Sequence, residues 1–324
     1  MNLSKNSDLV SIVLVNWNGK KWLKKCLDSL VAQTYKSVEI ILVDNASTDG
    51  SLEYVKKYFP KVRIILNKKN LGLPKANNIG VSKSKGKYLL LINTDTWVSD
   101  DFIEKLYVYH KKNDFAVISP IEKDYKGKKT NLINPTIDLT GSPAFFIHHE
   151  EKNKLFFTSV CYFCKKIDYL KTLGFDENYF VYYEDVDWFW RMSLLGIKYS
   201  YAENIYVNHA GAGATGKGIN YNMFLFRNQN ALQTIIKNYS FPTLVLILPL
   251  YFLQNIVEII FFIVILKPKI AYSYIEGWLF NIKNIKVILK KRKWIQKRRK
   301  ISDWEILKKM YWGPAKLKML LNYI

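Results

Sequence analysis

Residues 9–50 read LVSIVLVNWNGKKWLKKCLDSLVAQTYKSVEIILVDNASTDG, and this stretch decides the fold. The runs Leu9–Val15 and Val38–Val43 are short, apolar and rich in β-branched residues, the composition of buried strands. Between them Lys20–Gln33 is amphipathic, so the unit is strand, helix, strand. The pattern repeats with a helix at Ser51–Tyr58, a strand at Val62–Leu66, a helix at Pro74–Ser82 and a strand at Tyr88–Ile92. Such alternation predicts an α/β fold, a mostly parallel sheet flanked by helices.

After residue 120 the alternation fades. Turn signals stand at Lys126–Thr130 and at Gly141, Ser142 and Pro143, followed by an aromatic run from Leu155 to Phe163. This half is expected to hold an acceptor and complete the site. A length of 324 residues allows one large domain with an appendage. The expected division is a catalytic domain over 1–236 and a helical, basic region over 237–324. A hydrophobic fraction of 49% supports a sizeable core and excludes a disordered or collagen-like chain.

The formal net charge is +22, from 49 Lys and Arg against 27 Asp and Glu, which calls for polyanionic surroundings. Much of the excess follows residue 267, in runs such as Lys290–Lys293 and Lys297–Lys300. Cys26, Cys161 and Cys164 are odd in number and point to a reducing compartment with buried thiols. Met1–Asp8 is polar and the first apolar run is short, so the catalytic portion is expected to stay in the cytoplasm.

Phe241–Leu266 is apolar over a length that can cross a bilayer, about 20 helical residues. Pro249 and Glu258 interrupt it, and a crossing would carry the cationic tail outside, against the tendency of basic segments to stay cytoplasmic. A re-entrant hairpin or an in-plane helix is expected instead. Trp278, Trp294, Trp304 and Trp312 then recur among Lys and Arg, which suits an anionic membrane surface.

Several loops carry chemistry. Val43 to Gly50 ends an apolar strand in acidic and amide groups, and ligands of open α/β sheets bind at such carboxyl ends. Asp44 can accept the imide N–H of a uracil or thymine ring, Asn45 lies beside it, and Asp49 is expected to cap the next helix. Asn16, after the first strand, can meet the same base or ribose. Gly72 permits close backbone approach, and Pro74 opens a helix that carries Asn77. The strand at 88–92 runs into Asn93 and Asp95, where a carboxylate can hold a divalent cation that offsets a diphosphate.

Glu184, Asp185 and Asp187 crowd the start of a helix among aromatic rings, which raises proton affinity and suits a general base. Helix-dipole stabilisation, with Asp187 and Arg191 as an i,i+4 pair, is the alternative. His209 precedes a glycine-rich stretch and can complete a metal shell, with the glycines as a lid. His110, His148 and His149 are expected to be structural.

Taken together, VNWNG at 15–19, VDNASTDGS at 43–51, NLGLPKANN at 70–78, NTDT at 93–96, YYEDVDW at 182–188 and the His209 loop resemble family 2 glycosyltransferases of the GT-A fold, particularly the rhamnosyltransferase-like branch. The resemblance spans roughly residues 10–216, with the motifs in family order. It implies transfer of a sugar from a UDP- or dTDP-sugar to a hydroxyl of a lipid-linked or cell-envelope glycan acceptor. The anomeric centre would be inverted by direct displacement. It implies that Asp44 and Asn77 hold the base, with Asn16, Asn45, Gly72, Asn93 and Asp95 also around the nucleotide-sugar. Asp95 and His209 would ligate Mg2+ or Mn2+, and Asp185 would be the base with Glu184 next in line. Asp187 and Trp188 fall to the acceptor. Asn93 stands where the family's DxD pattern has its first acid, which makes the metal site poorer in charge.

Two rival functions fit parts of the chain. A nucleotidyltransferase shares the sheet and metal logic but needs a basic glycine-rich phosphate loop, which Asn16–Lys21 does not match. A non-enzymatic lipid- or nucleic-acid-binding protein explains the basic tail but not the acidic strand ends; no nucleic-acid partner is expected.

Overall fold

β-Branched runs become strands and the amphipathic stretch becomes a helix where the sequence places them. The computed structural model describes residues 8–128, 136–144, 159–211 and 220–320. The chain begins β1 (Val10–Asn16), α1 (Lys20–Val31), β2 (Val38–Asp44), α2 (Ser51–Tyr58), β3 (Arg63–Leu66), α3 (Leu73–Lys83), β4 (Tyr88–Ile92), β5 (Thr96–Trp97), α4 (Phe102–Lys112) and β6 (Val117–Lys123). It continues β7 (Thr136–Ile137), β8 (Pro143–Ala144), β9 (Cys161–Lys165), α5 (Lys166–Lys171), α6 (Glu184–Leu194) and β10 (Tyr199–His209). It ends α7 (Tyr221–Asn238), α8 (Phe241–Val264), α9 (Pro268–Lys283), α10 (Ile285–Arg298), α11 (Asp303–Leu307) and α12 (Ala315–Leu320). Thr130, residues 155–158, His148, His149 and the glycine-rich stretch beyond Gly211 lie outside the described residues.

The chain divides into two compact units that interleave in sequence. The first comprises Met1–Thr130, Ser159–Phe180 and Lys198–Ala214; the second comprises Asn131–Thr158, Val181–Ile197 and Thr215–Ile324. This division does not coincide with a boundary after residue 236, because β7, β8 and α6 group with the C-terminal helices.

The first unit holds an eight-stranded sheet in the order β3-β2-β1-β4-β9-β6-β10-β5. β1 to β4 pair in parallel, as does β6 with β10. β9 lies antiparallel to both β4 and β6, and β5 antiparallel to β10. All five residues of β4 are buried, as a strand covered on both faces requires. α1 buries Leu23, Cys26, Leu27 and Leu30, a single stripe at helical spacing. A β-carbon at Gly80 would lie 2.4 Å from Val13 Cγ1, so glycine lets α3 settle directly on β1. The three cysteines are free and buried, and burial pushes the Cys26 thiol up to about 12.

The second unit is mostly helical. α8 runs unbroken from Phe241 to Val264 with Pro249 inside it, so no hairpin forms at the proline. From α10, Gln296 Nε2 donates to the carbonyls of Lys237, Asn238 and Tyr239 at 3.0, 3.0 and 3.2 Å, and Arg292 donates to the carbonyls of Ile236 and Tyr239. Those carbonyls close α7 and have no partner within the helix. The basic region is therefore part of the packing of its unit.

Candidate active site

The carboxyl ends of β1, β2 and β4 carry the polar residues singled out in the sequence. Asn16 and Asp44 end neighbouring strands in register. Asn16 Nδ2 donates to Asp44 Oδ1 at 2.9 Å and to the Ser47 and Ser51 hydroxyls at 3.0 Å each. Asp44 Oδ2 accepts the Ser47 N–H at 3.0 Å. A carboxylate offers about four lone-pair positions, so Asp44 is fixed and still able to accept. Asn16 Oδ1 is buried without a hydrogen-bond partner among the described residues. A β-carbon at Gly19 would lie 2.6 Å from that oxygen and 3.3 Å from Thr94 Oγ1, so glycine keeps its surroundings open and brings the 93–96 loop alongside. An orphaned acceptor of this kind costs about 1–3 kcal/mol, which a ligand N–H or O–H would remove.

Other loop residues also bond within the scaffold. Asp49, one position before Gly50, the N-cap of α2, accepts the N–H groups of Lys20 and Ser51, the first residues of α1 and α2, at 2.9 and 3.0 Å. Asn45 Nδ2 donates to Asn70 Oδ1 and Gly72 O at 3.1 and 3.2 Å, while its Oδ1 accepts from Asn67 Nδ2 at 2.8 Å. Both ends of that amide are thus engaged in shaping the 67–72 loop rather than open to a nucleotide. Gly72 has φ 82°, and a β-carbon there would lie 2.4 Å from the Phe180 carbonyl oxygen. The close backbone approach it permits is that of Phe180, whose carbonyl accepts the Leu73 N–H at 2.8 Å. Asn77 is buried on α3 and turns its Nδ2 back to Leu73 O at 3.1 Å.

Beyond β4, the Asn93 carbonyl accepts the Thr96 hydroxyl at 2.6 Å, and this turn projects Asp95. Pairing of β5 with β10 sets Thr96 opposite His209, and the Asp95 carbonyl accepts the Ala210 N–H at 2.9 Å. Asp95 Oδ2 consequently lies 3.0 Å from His209 Nε2, and Glu122 Oε1 lies 2.7 Å from His209 Nδ1. Burial disfavours a charged ring here, but the two carboxylates outweigh it and raise the His209 pKa to about 10. Among the described residues no group of three or more His, Cys, Asp or Glu is placed to hold a metal ion. Asp95 and His209 would supply two ligands to a cation, and the ring would first have to release the proton that the two carboxylates hold on it. Glu122, on the far nitrogen, matches the carboxylate that orients a metal-binding imidazole.

The acid turn belongs to the second unit. Tyr182 and Tyr183 have φ 69° and 68°, two successive non-glycine residues in the left-handed region, directly before α6. Such residues cost about 1–3 kcal/mol each and persist where the surroundings impose them. Asn230 Nδ2 imposes this turn by donating to the carbonyls of Val181 and Tyr182 at 2.9 and 2.8 Å, and the Arg227 guanidinium lies 5.0 Å from the Tyr182 ring centroid. The turn sets Glu184 and Asp185 on the first turn of α6, where the helix dipole favours negative charge. Glu184 Oε2 is buried without a partner among the described residues. Burial, and then the neighbouring Asp185 charge, raise the Glu184 pKa to about 8. Asp187 and Trp188, expected at an acceptor, are both fully buried. The Asp187 carboxylate is held by Arg191 Nε and Lys237 Nζ, each at 2.8 Å, so it neutralises buried cations instead of meeting a sugar.

Residues 11–173 match the family model described as Glycosyl transferase family 2. The chain belongs to that family. It is 36% identical over 114 residues to glycosyltransferase GlyA of Streptococcus pneumoniae, covering 34% of this chain and 16% of the relative. It is 28% identical over 250 residues to the cholesterol galactosyltransferase of Borreliella burgdorferi, covering 70% of this chain and 67% of that enzyme. A crystal structure of GalNAc-T7 with UDP, GalNAc and Mn2+ superposes with a TM-score of 0.58 at 17% identity, over 72% of this chain and 48% of that one. At that identity the likeness shows the GT-A fold. Streptococcal and Haemophilus relatives are matched over 16% to 46% of their own length, so the chain corresponds to part of them.

Two residues of the candidate site are not visible in the sequence. Glu122 stands 87 positions from His209, and only the pairing of β6 with β10 brings them together. Asn230 left a trace, since Arg227, Asn230, Gln233, Thr234, Lys237 and Asn238 form a polar stripe along α7. What the stripe holds depends on the distant 181–183 turn.

Proposed function

We propose that this glycosyltransferase moves a sugar from a UDP- or dTDP-sugar to a hydroxyl of a lipid-linked or cell-envelope glycan, with inversion, at the cytoplasmic face of a membrane. The observation that carries the donor part is the orphaned Asn16 Oδ1 beside the Asp44 carboxylate at adjacent strand ends. Asn16 and Asp44 receive N–H and O–H groups of the base or ribose, with Asn77 beside them and Asn93 and Asp95 nearer the diphosphate. Asp95 and a deprotonated His209 would hold a divalent cation, Mg2+ or Mn2+, with Glu122 fixing the imidazole. When bound, that ion offsets charge on the departing nucleoside diphosphate.

Asp185 takes the proton of the acceptor hydroxyl as its oxygen bonds to the anomeric carbon and the bond from that carbon to the phosphate oxygen breaks. Glu184, kept protonated by burial, leaves Asp185 as the charged member of the pair. Direct displacement needs one base and no covalent sugar intermediate. The acceptor named for the Borreliella relative, a sterol, favours an apolar acceptor class, as does the apolar helix α8.

The test is thermal stabilisation by a panel of UDP-, dTDP- and GDP-sugars with and without Mg2+ or Mn2+. A ligand at one hundred times its Kd should stabilise the fold by about 2.7 kcal/mol. Stabilisation by one pyrimidine class, increased by the metal, is expected. No shift and no hydrolysis across the panel would overturn the assignment.

A further inference from the structure

α8 is long and apolar enough to cross a membrane, yet its two faces differ along its whole length. Leu244, Ile247, Tyr251, Gln254, Asn255, Glu258 and Phe262 are buried, a continuous stripe at helical spacing. Glu258 is the informative member. It is 0% exposed; its Oε2 lies 2.7 Å from Lys316 Nζ of α12 and accepts the Tyr274 hydroxyl of α9 at 2.5 Å, and its Oε1 accepts from Gln254 Nε2 at 3.1 Å. Lys316 also donates to Asn228 Oδ1 of α7 at 3.1 Å. A bilayer crossing by α8 would carry this charged network and the helices that supply it into hydrocarbon.

Among the described residues the opposite face is largely exposed. Leu246, Leu253 and Ile260, seven residues apart, are 71%, 60% and 56% exposed, and Leu266 after the helix is 86% exposed. On α9, which packs against α8, Tyr272, Ile275, Leu279 and Ile282 form a second exposed stripe at spacings of three and four. Between residues 267 and 300 twelve side chains are Lys or Arg and one, Glu276, is acidic. Lys269, Lys283, Lys286, Lys290, Lys293 and Lys297 are among the exposed ones. Exposed apolar stripes followed in the chain by exposed cations are the pattern of helices lying in a headgroup region.

We infer that α8 and α9 lie in the plane of one anionic leaflet, inserting only their exposed stripes, with no part of α8 crossing the bilayer. The inference rests on the proposed membrane location and selects its geometry. A second copy of the chain would also cover an apolar face, but the twelve cations of the same region would oppose self-association, whereas acidic lipid would neutralise them.

The experiment uses the full chain in two arms. In the first, the protein is floated with vesicles of phosphatidylcholine alone or with about one third phosphatidylglycerol. Binding should need the anionic lipid, and the variant Leu246→Glu, Leu253→Glu, Ile260→Glu should bind at least about tenfold more weakly while keeping its helical content. In the second, Pro242→Cys and Lys269→Cys mark the two ends of α8 in membranes from expressing cells, probed with an impermeant maleimide. Labelling of both ends from one side is expected. Labelling from opposite sides would overturn the in-plane geometry while leaving the membrane location intact. No flotation, or a lipid-free dimer that the glutamate variant dissociates, would overturn the membrane location as well.

Discussion

Asn230 and Glu184 are the residues on which the acid turn depends, one holding its backbone and the other its charge. Asn230→Ala would leave the Val181 and Tyr182 carbonyls without their shared donor, at a cost of about 1–3 kcal/mol in urea unfolding. The expected kinetic effect is a fall in kcat with donor KM little changed, because the change displaces the acids and not the nucleotide contacts. An unchanged kcat would show that the turn does not set the base. Burial, and then the Asp185 charge, hold the Glu184 pKa well above the usual 4.5. Between the usual and the raised value the folded protein keeps a proton that the unfolded chain has released, so stability falls as pH rises through that window. Glu184→Gln removes the effect, and its Tm relative to the unsubstituted protein should be higher at pH 9 than at pH 5. The same Tm difference at both would contradict a neutral buried Glu184.

Among the elements, those built from local pattern were legible in the sequence. β1, β2, β4 and α1 to α3 fall within about two residues of their expected bounds, because hydrophobic period and cap residues act over a few positions. β9 was not legible as the antiparallel strand between β4 and β6, since its neighbours in the sheet are distant in the chain. Pro249 was read as an interruption, yet it sits within a continuous helix. Asn45 and Gly72 were legible as special positions but not in their partners, the 67–72 loop and the Phe180 carbonyl. Gly72→Ala tests that correction. The positive φ and the contact with Phe180 should cost about 1–3 kcal/mol, and strain in the turn entering α3 should weaken donor binding by moving Asn77. A stable variant with unchanged donor affinity would contradict it.

For the whole molecule, the sequence motifs located the candidate site residues, but they could not reveal that residues 181–197 pack with the basic C-terminal helices. Ending the chain at residue 236 would remove Lys237 from Asp187 and Gln296 and Arg292 from the end of α7, so point substitutions, not truncation, separate membrane contact from folding. The central claim divides the work between the strand-end site, which holds the donor, and Asp185, which takes the acceptor proton. Donor Kd and kcat of Asp185→Asn test it most directly, with the nucleotide-sugar that stabilises the protein. The account predicts a Kd within about twofold of the original and a kcat lower by about 10²–10⁴-fold, the usual contribution of a positioned base. Near-normal turnover, or loss of donor binding in step with turnover, would contradict it.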